Sequence, residues 1–250
     1  MKYVGSKNRI AKHIIPFIQK ELIGKDLYIE PFVGGANMID KVDFGKKIGS
    51  DINEYLIDLL KYVQCLDNEL PKEITEDEYN RVKNNKESYE KWYVALVGFC
   101  ATFGAKWFGG YARGFKPDKV TPRNIPEESI KNLQNQRVNL KGIDFRHGSY
   151  EMYSDVKNAL IYCDIPYKST LSYKDKFEHD KFYDWCKEVV KNNNTILISE
   201  YNMPDEFECI FEFKTKVGID KKSHSERTEK LFILKWGEMI WKNTVLFIQW

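Results

Sequence analysis

The strongest constraint in this 250-residue sequence is the order of its elements: short apolar strands alternate with amphipathic helices at both ends, and a stretch without that rhythm lies between. Ile10, Ile14, Phe17 and Ile18 recur at helical spacing. Leu27-Tyr-Ile-Glu-Pro then reads as a short strand running into Val33-Gly-Gly-Ala-Asn. Residues 38 onward read as the start of a helix, residues 46–50 as a second strand ending at Asp51, and Leu56, Leu59, Leu60 and Val63 as one face of a helix capped by Asn53. After residue 158 the rhythm returns, with a strand over 159–163, a helix bearing Phe182, Trp185, Cys186, Val189 and Val190 on one face, and a strand over 195–199. Strands joined through helices predict a parallel α/β sheet. Segments 208–214, 230–235 and 244–249 are rich in Phe, Ile, Val and Leu and predict an antiparallel edge on that sheet.

Between residues 67 and 147 the pattern changes. Thr75 to Glu78 is a capping box, residues 89–103 read as a mostly apolar helix, and residues 104–126 are rich in Gly, Pro and aromatics. This predicts a module inserted into one α/β domain made of residues 1–66 and 148–250. With 42% hydrophobic and 30% charged residues the chain is long enough to bury a core, which excludes disordered and fibrous classes, and no internal repeat suggests a solenoid. Its 39 basic and 37 acidic residues give no bulk charge to argue from, so a polyanionic partner needs local clustering. The longest nearly apolar run, residues 95–105, is far short of the roughly 20 residues that span a bilayer. The N-terminal segment lacks a secretory signal's apolar core. Five scattered cysteines without a CxxC pair fit reduced, buried thiols, so the expected compartment is the cytoplasm, away from any membrane.

Two stretches can carry chemistry. In the first, a strand enters Gly34-Gly35 and an acid, Asp51, stands at the end of the next strand. Glycines let a backbone approach a ligand closely, and an acid on the neighbouring strand tip can accept both ribose hydroxyls of a nucleoside. The absence of GxGxxG disfavours a dinucleotide. The same pattern also suits a plain β-turn-α connection with Asp51 capping a helix. In the second stretch, the apolar strand Leu160-Ile-Tyr-Cys delivers Asp164-Ile-Pro-Tyr167 at its carboxyl end, where open α/β sheets place their sites. A carboxylate and the Ile165 carbonyl can accept the two N–H groups of an amine, Pro166 stiffens the turn, and Tyr167 can stack on a flat heterocycle. A strand ending in a Pro turn with Tyr167 as core filler has the same local sequence. His13, His147, His179 and His224 have no paired-ligand spacing, so no metal is expected, and no nucleophile motif such as GxSxG is present.

Taken in order, Lys2-Tyr-Val-Gly-Ser-Lys7, Glu30-Pro-Phe-Val-Gly-Gly35, Ser50-Asp-Ile-Asn53 and Asp164-Ile-Pro-Tyr167 resemble the motif series of Dam-like DNA adenine methyltransferases. The likeness spans nearly the whole chain and includes Phe103-Gly-Ala-Lys-Trp-Phe-Gly-Gly-Tyr-Ala-Arg113, Ile198-Ser-Glu-Tyr-Asn202 and Arg227-Thr-Glu-Lys-Leu-Phe-Ile. It implies a Rossmann-like α/β methyltransferase fold with a mostly helical and loop DNA-recognition insertion, and S-adenosylmethionine as methyl donor. Tyr3, Lys7, Glu30, Phe32, Gly34, Gly35, Asp51, Asn53 and Asp164 are the implied cofactor residues, and Asp164, Ile165, Pro166 and Tyr167 the implied catalytic ones. The family usually has Asp-Pro-Pro-Tyr. Ile165 still supplies the backbone carbonyl, so a modest change in rate is expected from this departure.

Residues 104–146 hold nine basic and four acidic side chains, a local charge of +5 against −3 for the rest of the chain. Interleaved with Trp107, Phe108, Tyr111 and Phe115, this composition suits a surface that neutralises phosphates and fills the vacancy left by a flipped base. Lys106, Tyr111, Arg113, Lys116 and Arg123 are the candidate DNA-binding residues, with Arg113 foremost. The expected activity is methyl transfer to the adenine amino group of double-stranded DNA by a monomer or weak dimer, alongside a cognate restriction endonuclease. Two other readings use the same residues: methylation of another planar amine, in RNA or at a protein glutamine, and a catalytically silent DNA-binding homologue.

Overall fold

The computed structural model describes residues 1–166, 177–217 and 225–235. In chain order the elements are α1 (Ala11–Glu21), β1 (Leu27–Glu30), β2 (Lys47–Asp51), α2 (Glu54–Gln64), α3 (Glu76–Asn84), α4 (Lys91–Cys100), α5 (Ile125–Gln136), β3 (Asp144–His147), β4 (Ala159–Asp164), α6 (His179–Val189), β5 (Thr195–Glu200), β6 (Glu208–Val217) and β7 (Ser225–Lys235). The strands form one seven-stranded sheet in the order β3-β2-β1-β4-β5-β7-β6. Pairs β2–β3, β1–β4 and β4–β5 are parallel, whereas β7 runs antiparallel to both β5 and β6. This is a Rossmann-like α/β sheet with the expected antiparallel edge. Its strand order reverses between β1 and β4, the switch point outside whose carboxyl ends such sheets bind ligands.

Several local expectations need correction. Residues 38 onward form only a 3-10 turn, Ile39–Lys41, because Met38 offers no side-chain cap and Val42 is already extended. The apolar helix is shorter than residues 89–103. Glu90 (ψ 139°) precedes its first turn, and Thr102, extended at ψ 150°, pairs with Tyr111 beyond its end. The edge strands β6 and β7 are longer than 208–214 and 230–235, and segment 244–249 lies outside the described residues. Helix α5, started by the Asn124 side chain accepting from Glu127 N–H with a Pro in its first turn, and the short strand β3 were not anticipated. A four-residue strand in which only Phe145 is buried carries too little periodicity to read.

The chain condenses into two compact units, one of residues 1–11, 33–42 and 48–148, the other of residues 12–32, 43–47 and 149–250. In the first, α2 buries Leu56, Ile57, Leu59, Leu60 and Val63 and packs against α4, an almost wholly buried helix. Gly98 of α4 is the contact point for Trp107 and Phe108, whose rings lie within 2.7 Å of where a Cβ would sit. Arg137 closes α2 by donating to the Val63 (2.8 Å) and Cys65 (2.7 Å) carbonyls, satisfying groups a helix end leaves open.

In the second unit β4 is buried along its length up to a half-buried Asp164, as expected for a strand covered on both faces. Phe32, Tyr150, Phe177, Phe182 and Trp185 form an aromatic cluster, with Tyr150 edge-on to Phe182 at 5.2 Å and to Trp185 at 5.0 Å. One buried amide pins the start of the central strand. Asn194 Oδ1 accepts from Ala159 N–H at 2.8 Å while its Nδ2 donates to the Val156 (2.7 Å) and Val189 (2.8 Å) carbonyls. Replacing it by Leu strands three polar backbone groups, and we expect Asn194→Leu to lower unfolding free energy by roughly 3 kcal/mol in urea titration; a loss below about 1 kcal/mol would show that the pin is dispensable.

Candidate active site

In the first unit, the site residues gather around the turn that follows residue 32. Gly34 is left-handed (φ +46°) and Ala36 is too (φ +55°), a conformation that costs a residue with a Cβ. The turn is held against the strand tip: Val33 N–H donates to the Ser50 carbonyl at 2.8 Å and Gly34 N–H to Asp51 Oδ2 at 3.2 Å. Tyr3 packs against it. Carbons of the Tyr3 ring approach within 3.0 Å of where a Gly34 Cβ would be, and a Cβ at Gly35 would meet Tyr3 Cβ at 2.9 Å and Asn37 Nδ2 at 2.8 Å. Both glycines are therefore required by close packing. Gly35 and Ala36 carbonyls accept from Gln136 Nε2 on α5, at 3.1 and 3.0 Å.

Asp51 ends β2 opposite His147 of β3. Its second oxygen accepts from Asn53 N–H at 3.0 Å, and Asn53 in turn caps α2 through Oδ1 to Leu56 N–H at 3.2 Å. Burial pushes the Asp51 carboxyl up from its ordinary value, partly offset by the Asn53 and Gly34 N–H groups and by nearby His147. A carboxylate has four acceptor sites and the Asn53, Gly34 and Ile52 N–H groups take three, which leaves capacity for a further donor such as a ribose hydroxyl. Lys7 is buried at 5% exposure, and its Nζ lies 3.5 Å from the Gly5 carbonyl. Tyr3, Gly34, Gly35, Asp51 and Asn53 thus form one cluster. The turn offers close backbone approach and an acceptor carboxylate, and these fit the adenosine end of S-adenosylmethionine.

The second unit holds the other group. Asp164 pairs in register with Ser199, and Ile165 beyond it is buried at 2% exposure. Glu30 ends β1 and accepts from Tyr28 Oη at 2.6 Å, while Tyr162 Oη shares a hydrogen bond with Ser199 Oγ at 2.8 Å. Burial, with Asp164 beside it, pushes the Tyr162 phenol well above its ordinary value, and burial with Glu30 and Asp164 pushes the Cys163 thiol well above its own. Cys163 is thus an inert strand residue, as its sequence position suggested. The five cysteines are free, but Cys65 and Cys209 are exposed, against the expectation of buried thiols. Phe32 stacks on Tyr150 at 5.8 Å. Tyr167 lies outside the described residues.

Two residues beside these groups were not singled out from sequence. Gln136 is one, and His179 is the other: its Nε2 lies 3.1 Å from the Pro166 carbonyl and its Nδ1 3.0 Å from that of Phe177. A lone histidine and a lone glutamine on helices leave no periodic signal, so only the fold brings them to these carbonyls.

The DNA-binding candidates lie in the first unit. Arg113 pairs with Glu76, and Arg123 Nε donates to both Glu128 oxygens at 2.7 and 2.9 Å. Tyr111 donates its hydroxyl to the Ile74 carbonyl at 2.8 Å. Lys116 belongs to a hairpin closed by its own N–H to Thr121 O at 2.9 Å and by Arg123 N–H to Gly114 O at 2.9 Å, with Phe115 63% and Val120 78% exposed. Lys106 is exposed next to Trp107. No helix among the described residues is long and apolar enough to cross a membrane.

A carboxyl held above its unfolded value binds its proton more tightly in the folded chain, so Asp51 contributes stability at low pH that is lost as pH rises from about 4 through the raised folded value. Compared by urea unfolding from pH 4 to 8, the wild type should lose ground to Asp51→Asn as pH rises across that window and run parallel to it above. A constant difference throughout would refute the raised value.

A family model for the D12 class of N6 adenine-specific DNA methyltransferases matches residues 3–196. Type II methyltransferase M.MjaIII of Methanocaldococcus jannaschii is 26% identical over a 275-residue alignment that covers 89% of this chain and 91% of that protein. Type II methyltransferase M.FokI of Planomicrobium okeanokoites is 24% identical over 212 residues, 74% of this chain and 31% of that protein. Among solved structures, a Pyrococcus horikoshii protein assigned as an RNA methyltransferase aligns over 90% of this chain and 78% of its own, with 10% identity and a TM-score of 0.40. With most of its length matched by the family model, the chain belongs to the D12 class of N6 adenine-specific DNA methyltransferases, S-adenosylmethionine-dependent enzymes that act at specific sites in DNA.

Proposed function

We propose that Asp164, Ile165, Pro166 and Tyr167 bind the target adenine, and that Tyr3, Lys7, Glu30, Phe32, Gly34, Gly35, Asp51 and Asn53, together with Asp164, serve the methyl donor. The observation that carries this reading is the placement of Asp164: a half-buried carboxylate at the end of an otherwise buried strand, beside the switch point of the sheet. The adenine amino group sits inside the base-paired stack, so the base is flipped out before reaction, and stacking on Tyr167 offsets part of that cost. Asp164 and the Ile165 carbonyl accept the two amino hydrogens, which localises the nitrogen lone pair and aims it.

S-adenosylmethionine supplies a methyl group already activated on a sulfonium. Bound at the turn, it would give that methyl to the adenine nitrogen and keep the electron pair on sulfur, so positive charge would grow on the nitrogen. Asp164 stabilises that charge more in the transition state than in the neutral ground state, and the surplus proton leaves to Asp164 or to water. The protein thus contributes position and field, with neither a nucleophile nor a metal needed.

The inserted module, residues 67–147, is our candidate for duplex recognition, with residues 1–66 and 148–250 as the catalytic domain. Lys106, Arg113, Lys116 and Arg123 face phosphates or base edges, and Tyr111, its hydroxyl already committed, contributes its ring. The glutamates beside Arg113 and Arg123 are exposed, and such surface pairs are weak enough for a phosphate to displace them. The chain works as a monomer or weak dimer in the cytoplasm, alongside a cognate restriction endonuclease.

The test is transfer of labelled methyl from S-adenosylmethionine to unmethylated genomic DNA, followed by single-molecule sequencing of the product. A single enriched adenine motif is expected, and Asp164→Ala should lower transfer by about a thousandfold while the unfolding midpoint persists. Full activity in that variant, or label appearing only in RNA or protein, would overturn these roles.

A further inference from the structure

We propose that Gln136 is a positioning residue for the cofactor turn: its amide holds Gly35 and Ala36 in the conformation that receives S-adenosylmethionine. This rests on the reading that the turn binds the cofactor. Two features of the turn need an outside partner. The left-handed backbone at Ala36 (φ +55°) is unfavourable for a residue with a Cβ, and persists only where surrounding contacts enforce it. The Gly35 and Ala36 residues are also buried, so their carbonyls need donors that water does not supply there.

Gln136 meets both needs. Its side chain is 7% exposed at the last turn of α5, and Nε2 lies 3.1 Å from Gly35 O, 3.0 Å from Ala36 O and 2.8 Å from Asp40 Oδ2. Three acceptors converge on one amide nitrogen, which only a donor can satisfy. On its other side the turn is tied by Gly34 N–H to Asp51. The amide thus fixes the carbonyl side of the turn while the carboxylate fixes its N–H side, and removing either frees half of the cradle. Helix α5 belongs to the proposed DNA-recognition module, so this side chain is also a place where that module touches the cofactor turn.

The experiment measures S-adenosylmethionine binding by calorimetry, together with KM for each substrate and kcat, on the full chain and on Gln136→Leu and Gln136→Glu. In Gln136→Leu we expect the cofactor Kd and KM to rise about tenfold, with kcat at saturating cofactor and KM for DNA within about twofold of wild type. Gln136 Oε1 accepts from the Met1 ammonium, a contact Gln136→Glu keeps, while its other carboxylate oxygen faces the three acceptors; this variant should therefore also bind the cofactor more weakly than wild type. A merely structural residue would lower the unfolding midpoint and the active fraction without moving the cofactor KM, and that result, or a Kd unchanged in both variants, overturns the proposal. Should Gln136→Leu fail to fold, Gln136→Met, which keeps the length of the side chain, takes its place with the same expectations. If the wild type itself binds no S-adenosylmethionine, the reading of the turn as a cofactor site fails first; if it binds and the variants match it, only the role of Gln136 fails.

Discussion

The backbone of the turn at residues 33–36 is the constraint on which the first unit depends. Left-handed φ at Gly34 and Ala36 folds the chain back so tightly that Tyr3 and Asn37 occupy the space where side chains at 34 and 35 would project. Such a turn closes only partly on itself, through Ala36 N–H to the Val33 carbonyl at 2.9 Å. It is strained at Ala36 and buried throughout, so other polar groups on it are met by partners fixed elsewhere: Ser50 and Asp51 at the end of β2, and Gln136 at the end of α5. Those partners are in turn locked, Asp51 through Asn53 and the start of α2, Gln136 through burial on α5. The neighbours of the turn thus serve both the fold and the proposed site.

In the second unit the same logic runs through a strand. Five buried residues carry β4 across the sheet, and its first and last residues are where polarity begins. At the start, Asn194 supplies the backbone partners that an irregular entry lacks. At the end, Asp164 emerges among other oxygens, with Glu30, Ser199 and Glu200 ending or terminating the flanking parallel strands. Burial and nearby acids raise the Tyr162 and Cys163 side chains, keeping them neutral next to the carboxylate we propose for the reaction. A strand buried on both faces limits how far Asp164 can wander, which is what a positioning mechanism asks of its acceptor.

The basic insertion needs a different account from the one composition suggested. Of the nine cations in residues 104–146, Arg137 is spent on the carbonyls that end α2. Its net charge is therefore partly structural. The exposed cations, Lys106, Arg113, Lys116 and Arg123 among them, are the part that our proposal assigns to a polyanion. Counting charges could not separate these two uses, because the carbonyls that claim Arg137 belong to residues some seventy positions earlier in the chain.

Local chemistry determined much of this protein in the sequence alone. Alternating strands and helices, the Gly34-Gly35 turn, Asp51 at a strand tip and Asp164-Ile-Pro-Tyr167 after an apolar run are signals carried by neighbours along the chain, and motifs in family order placed them together. What lacked a local signal was decided by the tertiary structure. Residues 38–42 did not become a helix because Met38 offers no cap and Val42 is already extended, β3 was too short to show alternation, and Gln136 and His179 acquired roles only when helices brought them to carbonyls on other segments. The physical reason is the same in each case. A side chain's preference is written in its own residue, whereas a buried carbonyl's need for a donor exists only after the fold has removed the water.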